Sequence, residues 1–351
     1  MQSLELLFEN LEKTVDYSSE SNDSDFDFTD NMTVESTGIY RHYPTSLTLK
    51  TERSGSPATL TGEIVVNTSE HVPQMGATVR LKVDGQSIFY GHVFQTSIDK
   101  FGVMSFTAYD MLRYLKNTYS SYYPRGYKVR DVITDMAIAF NLAVGDLAEC
   151  PTQGYALMID NECAFDVISK LVDIGTILSG RVLVFYCQGR DLRLSYADEM
   201  IADVLVGDDS LATEYTLATS IDDDTYNQIF LYRESESAGG RHPSTASDDL
   251  NAKRWGVLRL TEAVDDVMSN EQLDDRANKM LEMKNRELKT MTITALGIVG
   301  LRAGMMINIH FPSLHDTVSK KQTVILDTVT HNFEDGNHTM TLEVHTFWRD
   351  T

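Results

Sequence analysis

Gly304-Met-Met-Ile-Asn-Ile-His-Phe311, then Gln322 to Thr330, then Phe333-Glu-Asp-Gly-Asn-His-Thr-Met-Thr-Leu-Glu-Val344 is the stretch that decides the fold. Apolar and polar residues alternate through three short runs separated by turn signals, the pattern of half-buried antiparallel strands. An earlier stretch has the same grammar: Gly76-Ala-Thr-Val-Arg-Leu-Lys-Val83, Ile88 to Ser97, and Phe101-Gly-Val-Met-Ser-Phe-Thr-Ala108. Gly76 aligns with Gly304, Thr96 with Thr328 and Met104 with Met340, so the offset grows only from 228 to 232 to 236 as loops lengthen. The chain therefore carries two copies of one β-hairpin module and offers two similar surfaces. Three such chains in a ring present six near-equivalent units, the arithmetic that joins a threefold object to a sixfold one.

Outward from the repeat, Ser46 to Asp110 alternates in the same way, with turn signals at Asp84-Gly85 and Lys100-Phe-Gly102. A small barrel or sandwich is the expected closure. The grammar then changes. A short helix starts at Asp110 to Tyr114, and Tyr119 to Tyr127 reads as an aromatic linker around Pro124 and Gly126. Val129, Val132, Ile133, Met136, Ala137 and Phe140 mark one face of a helix ending near Asn141. A second helix is predicted from Glu162 to Leu178, stopped by Gly180. Strands Arg181–Cys187 and Asp191–Tyr196 follow around a turn at Gln188 to Arg190.

Strands return at Thr225–Arg233 and Trp255–Thr261, around a Gly, Ser and Asp-rich loop from Ser235 to Asp249 that is expected to be mobile. A helix from Ser269 to about Leu288 carries Leu273, Ala277, Met280, Leu281 and Leu288 on one face, with Ser269 as its N-cap. The fold class is thus mainly β (α+β): two similar small β-barrels, an inserted α/β domain and additional helices. The expected division is an acidic arm at 1–44, a first barrel at 45–113, an insert at 114–205, and a second barrel at 206–351 containing the helix at 269–288.

At 351 residues the chain spans two or three domains, and with 3 cysteines and 42% apolar residues its folding rests on packing. Cys150, Cys163 and Cys187 lack metal-site spacing and read as single buried or half-buried thiols. The N-terminus has no secretory signal pattern and no apolar run is long enough to span a bilayer, so a soluble protein assembled in a host cytoplasm is expected. Net charge is −22, and the first 35 residues hold ten Asp and Glu against Lys13 alone. Such a surface repels phosphate, which argues against stable nucleic-acid binding and fits a wall that nucleic acid passes without sticking.

Particular residues carry a family resemblance. Phe89-Tyr-Gly-His-Val-Phe94 with Phe106-Thr-Ala-Tyr-Asp-Met-Leu-Arg-Tyr-Leu115 resembles the first barrel and its exit in baseplate hub proteins of tailed phages and phage-like particles, of the contractile-tail hub type. Trp255-Gly-Val-Leu-Arg-Leu-Thr261, the helix at 269–288, Ala295-Leu-Gly297, Leu301-Arg-Ala-Gly304 and Val329 to Val344 are similar to the family's C-terminal half. The likeness runs from about residue 45 onward, while residues 1 to 44 match poorly. It implies a homotrimeric ring with pseudo-sixfold symmetry in the virion's tail baseplate. The implied partners are the tail tube protein on one face, the central spike protein on the other, and further baseplate and tape-measure proteins. DNA passes only transiently through the lumen during genome ejection, and no membrane is engaged.

The chemical motifs are weak beside this. Asp23, Asp25 and Asp27 are spaced like a calcium loop, but the turn glycine is missing and Val34 stands where the closing Glu belongs. His310, His315, His331, His338 and His345 fall close together, yet His338 and His345 are an odd number apart on one strand and face opposite ways. His331 and His338 flank a hairpin turn and are the pair that could share an ion, but ordinary surface or interface histidines are expected. Tyr119, Tyr122, Tyr123 and Tyr127 read as packing at a domain joint rather than a glycan platform. The Asp222-Asp-Asp224 and Asp208-Asp209 runs are candidates for the acidic bore. Catalytic, cofactor and metal residues are all expected to be none. Two alternative functions are a tail-associated peptidoglycan hydrolase, for which the chain leaves no room after its second barrel, and a receptor- or glycan-binding tail module.

Overall fold

The computed structural model describes residues 3–15, 32–54, 56–66, 72–152, 154, 156–233, 243–264, 269–314 and 320–345. Two six-stranded ladders with one strand order dominate it. In the first module they are β1 (Leu4–Val15), β3 (Pro44–Glu52), β4 (Thr59–Val65), β5 (Thr78–Val83), β6 (Gln86–Ile98) and β7 (Val103–Tyr109). Their lateral order is β3-β4-β7-β6-β5-β1, and β2 (Met32–His42) adds outside β1. In the second they are β13 (Ile201–Gly207), β14 (Ala212–Ser220), β18 (Leu288–Leu296), β19 (Met306–His310), β20 (Gln322–Glu334) and β21 (Asn337–His345). Their order is β14-β18-β21-β20-β19-β13. Each strand has a counterpart by position, shared irregularities included, but β1 runs antiparallel to β5 whereas β13 runs parallel to β19.

Those irregularities show that the repeat is built and not accidental. Gly76 and Gly304 both take positive φ, 81° and 87°, a conformation open to glycine. Each donates its N–H across the sheet at 2.8 Å, to the carbonyls of Val93 and Leu326. Val93 and Leu326 answer at 2.9 Å to Ala77 and Met305. Directly afterwards both long strands bulge: pairing jumps from Val93 to Gln95 against β7, and from Leu326 to Thr328 against β21. Phe94 and Asp327 are the extra residues, so Gln95, and not Thr96, is the counterpart of Thr328. The sequence alignment is one residue out there, because a bulge leaves no signature in an alternating pattern.

Each sheet curls over its own core. Leu6 and Phe8 of β1 share one buried cluster with Leu47 and Leu49 of β3, from opposite ends of the strand order. Val206, Met291, Ile307, Leu326 and Leu342 do the same in the second module. Among the described residues no ladder returns to pair its two ends, so neither module is the closed barrel that sequence reading expects. Alternation encodes which face is buried but not whether the edges meet. The two modules instead share one 13-stranded sheet, joined through β20 and β3.

Between the modules, α1 (Val129–Ala139) and α2 (Ala164–Ser179) share a core with a sheet of β9 (Ala143–Leu147), β11 (Leu183–Gln188) and β12 (Asp191–Tyr196). Gly180 caps α2 in the left-handed conformation at φ 69°, as its position predicts. The expected aromatic linker is instead β8 (Thr118–Tyr123), paired with β10 (Leu157–Cys163); Tyr and Thr suit strands, and the partner lies too far along the chain to be seen locally. Strand β13 pairs with β19, so residues 201–205 extend the second module's ladder and not the insert's sheet.

A further unit lies between β14 and β18, where the first module has only the short connection between β3 and β4. It consists of β15 (Gln228–Arg233), β16 (Pro243–Ser247), α3 (Asp249–Trp255), β17 (Arg259–Val264) and α4 (Asn270–Lys284). Ser269 caps α4 through a capping box with Gln272, and Leu273, Ala277 and Met280 face inward, but the helix stops at Lys284 and Leu288, expected on its inner face, instead opens β18. The loop expected over Ser235–Asp249 is partly strand β16, and its residues 235–242 lie outside the described residues. Leu4–Val15, assigned by composition to an acidic arm, is strand β1, held by six partners in β5 through Leu4–Glu9.

Candidate functional site

The joint between modules is the best-defined polar centre. The outer edge of β20 is divided at its bulge: Gln322–Ile325 pairs with β19, while Thr328–Glu334 pairs with Glu52–Ser46 of β3. At the bulge Arg53 donates its N–H to the Asp327 carbonyl at 2.8 Å, and their side chains form an ion pair with little exposure. Thr51 uses its hydroxyl twice, accepting from the Ala303 N–H at 3.0 Å and donating to the Val329 carbonyl at 3.4 Å. Its register partner is Val329, so one side chain ties β3, the loop before β19, and β20 together.

Opposite Leu49 sits His331, 1% exposed. Its Nε2 is 2.7 Å from the Leu301 carbonyl, which can only accept, so Nε2 carries the proton. Nδ1 is then an acceptor, and His338 Nε2 donates to it at 2.9 Å. His338 also stacks on Phe333 at 4.3 Å between ring centroids. Burial lowers the pKa of both rings, with His338 brought down to about 4 by burial and by its neighbour. The pair is therefore neutral and structural, and the burial of His331 departs from the surface or interface histidine expected from sequence.

A second polar group ties in the insert. Arg302 is buried, donates from Nη1 to the Cys187 carbonyl at 2.6 Å, and lies over the Tyr186 ring at 4.4 Å. Asp110, also buried, accepts from the Leu112 N–H at 3.1 Å where the first module exits into a short 3-10 turn. Burial pushes the Asp110 carboxyl up to about 7, against the opposing pull of the Arg302 charge. Both groups line a cavity with His331, Cys187 and Gln86, residues drawn from both modules and the insert. This arrangement fastens three units.

The remaining sequence candidates scatter. Tyr123 is buried and Tyr119 and Tyr127 pack on the insert core, whereas Tyr122 is 60% exposed. Asp208 accepts the Ser313 N–H at 2.9 Å, which with the Ser313 hydroxyl holds its carboxyl below the usual range. Asp224 pairs with Lys284. All three cysteines are free, with Cys187 buried and the other two half-buried. His315, Asp23, Asp25, Asp27 and the His345 side chain lie outside the described residues. Among the described residues no three His, Cys, Asp or Glu side chains gather as a metal set, and no helix is long and apolar enough to cross a membrane. Arg53, Asp327, Asp110 and Arg302 escaped sequence reading because each finds its partner across a long gap in the chain.

The profile of the YQBQ-like family matches residues 47–345. The phage-like element PBSX protein XkdQ of Bacillus subtilis strain 168 is 28% identical over 305 residues, 85% of this chain and 91% of that protein. Among solved structures, the 43 kDa tail protein of prophage MuSo2 from Shewanella oneidensis superposes with a TM-score of 0.67 at 10% identity, covering 97% of this chain and 98% of the other. The E. coli c3393 protein, a type VI secretion component described as similar to the T4 tail proteins gp27 and gp5, gives 0.54 at 9% identity, covering 89% and 76%.

Proposed function

The chain belongs to the YQBQ-like family, and from that premise we propose that it is a structural protein of a phage tail or phage-like particle: the baseplate hub. Three copies form a ring in which six modules alternate, two from each chain. One face of the ring seats the hexameric tail tube and the other the trimeric spike, with other baseplate and tape-measure proteins around them. The observation that carries this reading is the repeated six-strand order with its shared glycine and bulge, which gives one chain two similar building blocks.

In this role the division at 45–113, 114–205 and 206–351 separates two ring-forming modules from a peripheral insert, with β1 and β13 completing the ladders. The acidic excess is placed on the bore, where it keeps DNA moving, Asp209, Asp222 and Asp223 being candidates. The role is non-enzymatic, in the virion, after assembly in a host cytoplasm. The test is the mass of the purified protein with its axial view by negative stain: a trimer with six lobes around a hole is expected. Monomers at high concentration, even with tube and spike proteins present, overturn the reading, and clearing of purified cell walls overturns its non-enzymatic part.

A further inference from the structure

The β20–β3 joint has a counterpart that is made of the same parts and is empty. Strand β6 matches β20, and β14 matches β3. On β6 the edge up to His92 pairs with β5, as Gln322–Ile325 pairs with β19. Beyond the bulge, Gln95–Ile98 pairs with β7 alone among the described residues, whereas Thr328–Glu334 is covered by β3. Likewise β14 pairs with β18 alone among the described residues, whereas β3 has β4 on one side and β20 on the other. One chain thus holds one completed joint and the two separated halves of another.

We propose that β14 of one copy pairs antiparallel with Gln95–Ile98 of the next copy, reproducing between chains the joint made within each chain. The proposal rests on the ring reading above and specifies its contact. The register follows from the ladders. Leu217 opposes Met291 in β18 as Leu49 opposes Leu60 in β4, so Leu217 is the counterpart of Leu49. Carrying the β20–β3 register across places Gln95 opposite Ser220, Thr96 opposite Thr219, Ser97 opposite Ala218 and Ile98 opposite Leu217.

The side chains agree with that placement. Thr216, Leu217 and Thr219 repeat the residue types of Thr48, Leu49 and Thr51. Thr219 therefore brings a hydroxyl to the site where Thr51 accepts the Ala303 N–H, and the counterpart of Ala303 is Met75, beside the glycine at 76. Ile98 is 54% exposed in the single chain, at the position where the second module buries His331. An exposed strand edge carrying a large apolar side chain is a surface that soluble proteins normally cover. Because β6 and β14 lie in different modules, the contact is head-to-tail, and such contacts form a ring when the rotation between copies closes.

The test uses the full-length chain with Ser97→Cys and Ala218→Cys together. Opposed residues in an antiparallel pair stand about 4.5–5.5 Å apart at Cα, within the range a disulfide bridges. Mild oxidation is expected to give reductant-sensitive covalent dimers and trimers on a denaturing gel, absent from wild type and from each single variant. Ser97→Cys with Thr219→Cys, which points to the other sheet face, is expected to cross-link far less. A trimer by mass that forms no cross-link overturns the strand joint and leaves the ring standing. Protein that stays monomeric overturns both, and covalent ladders beyond three copies overturn closure. Separately, Ile98→Asp buries an unpaired charge only in the assembly, so it is expected to raise the concentration needed to assemble by about tenfold or more. Unchanged assembly with unchanged melting argues against the proposal.

Discussion

The first and second modules share a ladder but differ in what fills it, and the differences lie where the chain has something to join. In the first, the position after the bulge leads to an exposed isoleucine; in the second, it leads to a buried histidine bonded to its partner across the hairpin. The bulge residue is Phe94 in one, packed against Tyr109 and under Arg113, and Asp327 in the other, paired with Arg53. The repeat therefore supplies a scaffold, and side-chain chemistry distinguishes the edge closed within the chain from the one left open among the described residues. The insertion between β14 and β18 adds a second asymmetry, giving one module a peripheral unit that the other lacks.

The largest test of this equivalence is to hollow both cores at matched places. Met104 and Met340 are counterparts with no exposure, and each change to Ala is expected to cost about 3 kcal/mol in thermal or denaturant unfolding. Losses that differ severalfold break the equivalence. A smaller effect, about 2 kcal/mol, is expected for Asp327→Ala, which leaves Arg53 in a nearly closed site; hydrogen exchange should quicken in β3 and β20 before it does in β5. Uniform quickening of both modules contradicts the assignment of that pair to the joint.

Acid sharpens the contrast. Both histidines hold their protons less readily when folded, so their contribution is full above about pH 6.5 and is lost as pH falls toward about 4. Between those values the wild type is expected to lose about 1.5 kcal/mol, after discounting for the partial exposure of His338, and His338→Gln is expected to flatten the slope. A slope that survives this substitution puts the titration elsewhere. The smallest effect belongs to the insertion: Ser269→Ala removes the α4 cap and is expected to cost about 1 kcal/mol, read as faster exchange in the first turn of α4 with the module ladders unchanged.

What the sequence reveals, and what it conceals, follows the range of each interaction. Gly76 and Gly304, Gly180 and Ser269 are legible because a turn or a cap is written in one or two residues. The alternating runs are legible because burial of one sheet face has period two. The bulges at Phe94 and Asp327 are not, since an extra residue looks like any other, and that is why Thr96 is matched where Gln95 belongs. The β3–β20 pairing, the partnership of β13 with β19 and the burial of Asp110 beside Arg302 depend on residues far apart in the chain, and no local pattern announces them. Strand β1 hides behind its acidic residues: Leu6, Phe8 and Asn10 turn inward and Leu4 packs against the same core, while Glu5 and Glu9 face out to Arg41 and Arg80.

The pairing of β3 with β20 also has a temporal side. During synthesis β3 emerges near the start of the chain and β20 near its end, with Thr48 and Asn332 separated by 284 positions. Contacts of such sequence separation form late and slowly, so the first module waits with one flank unsatisfied while the ribosome makes nearly everything else. A prematurely terminated product lacks the strand that completes this flank, and cannot present the same surface as a finished one.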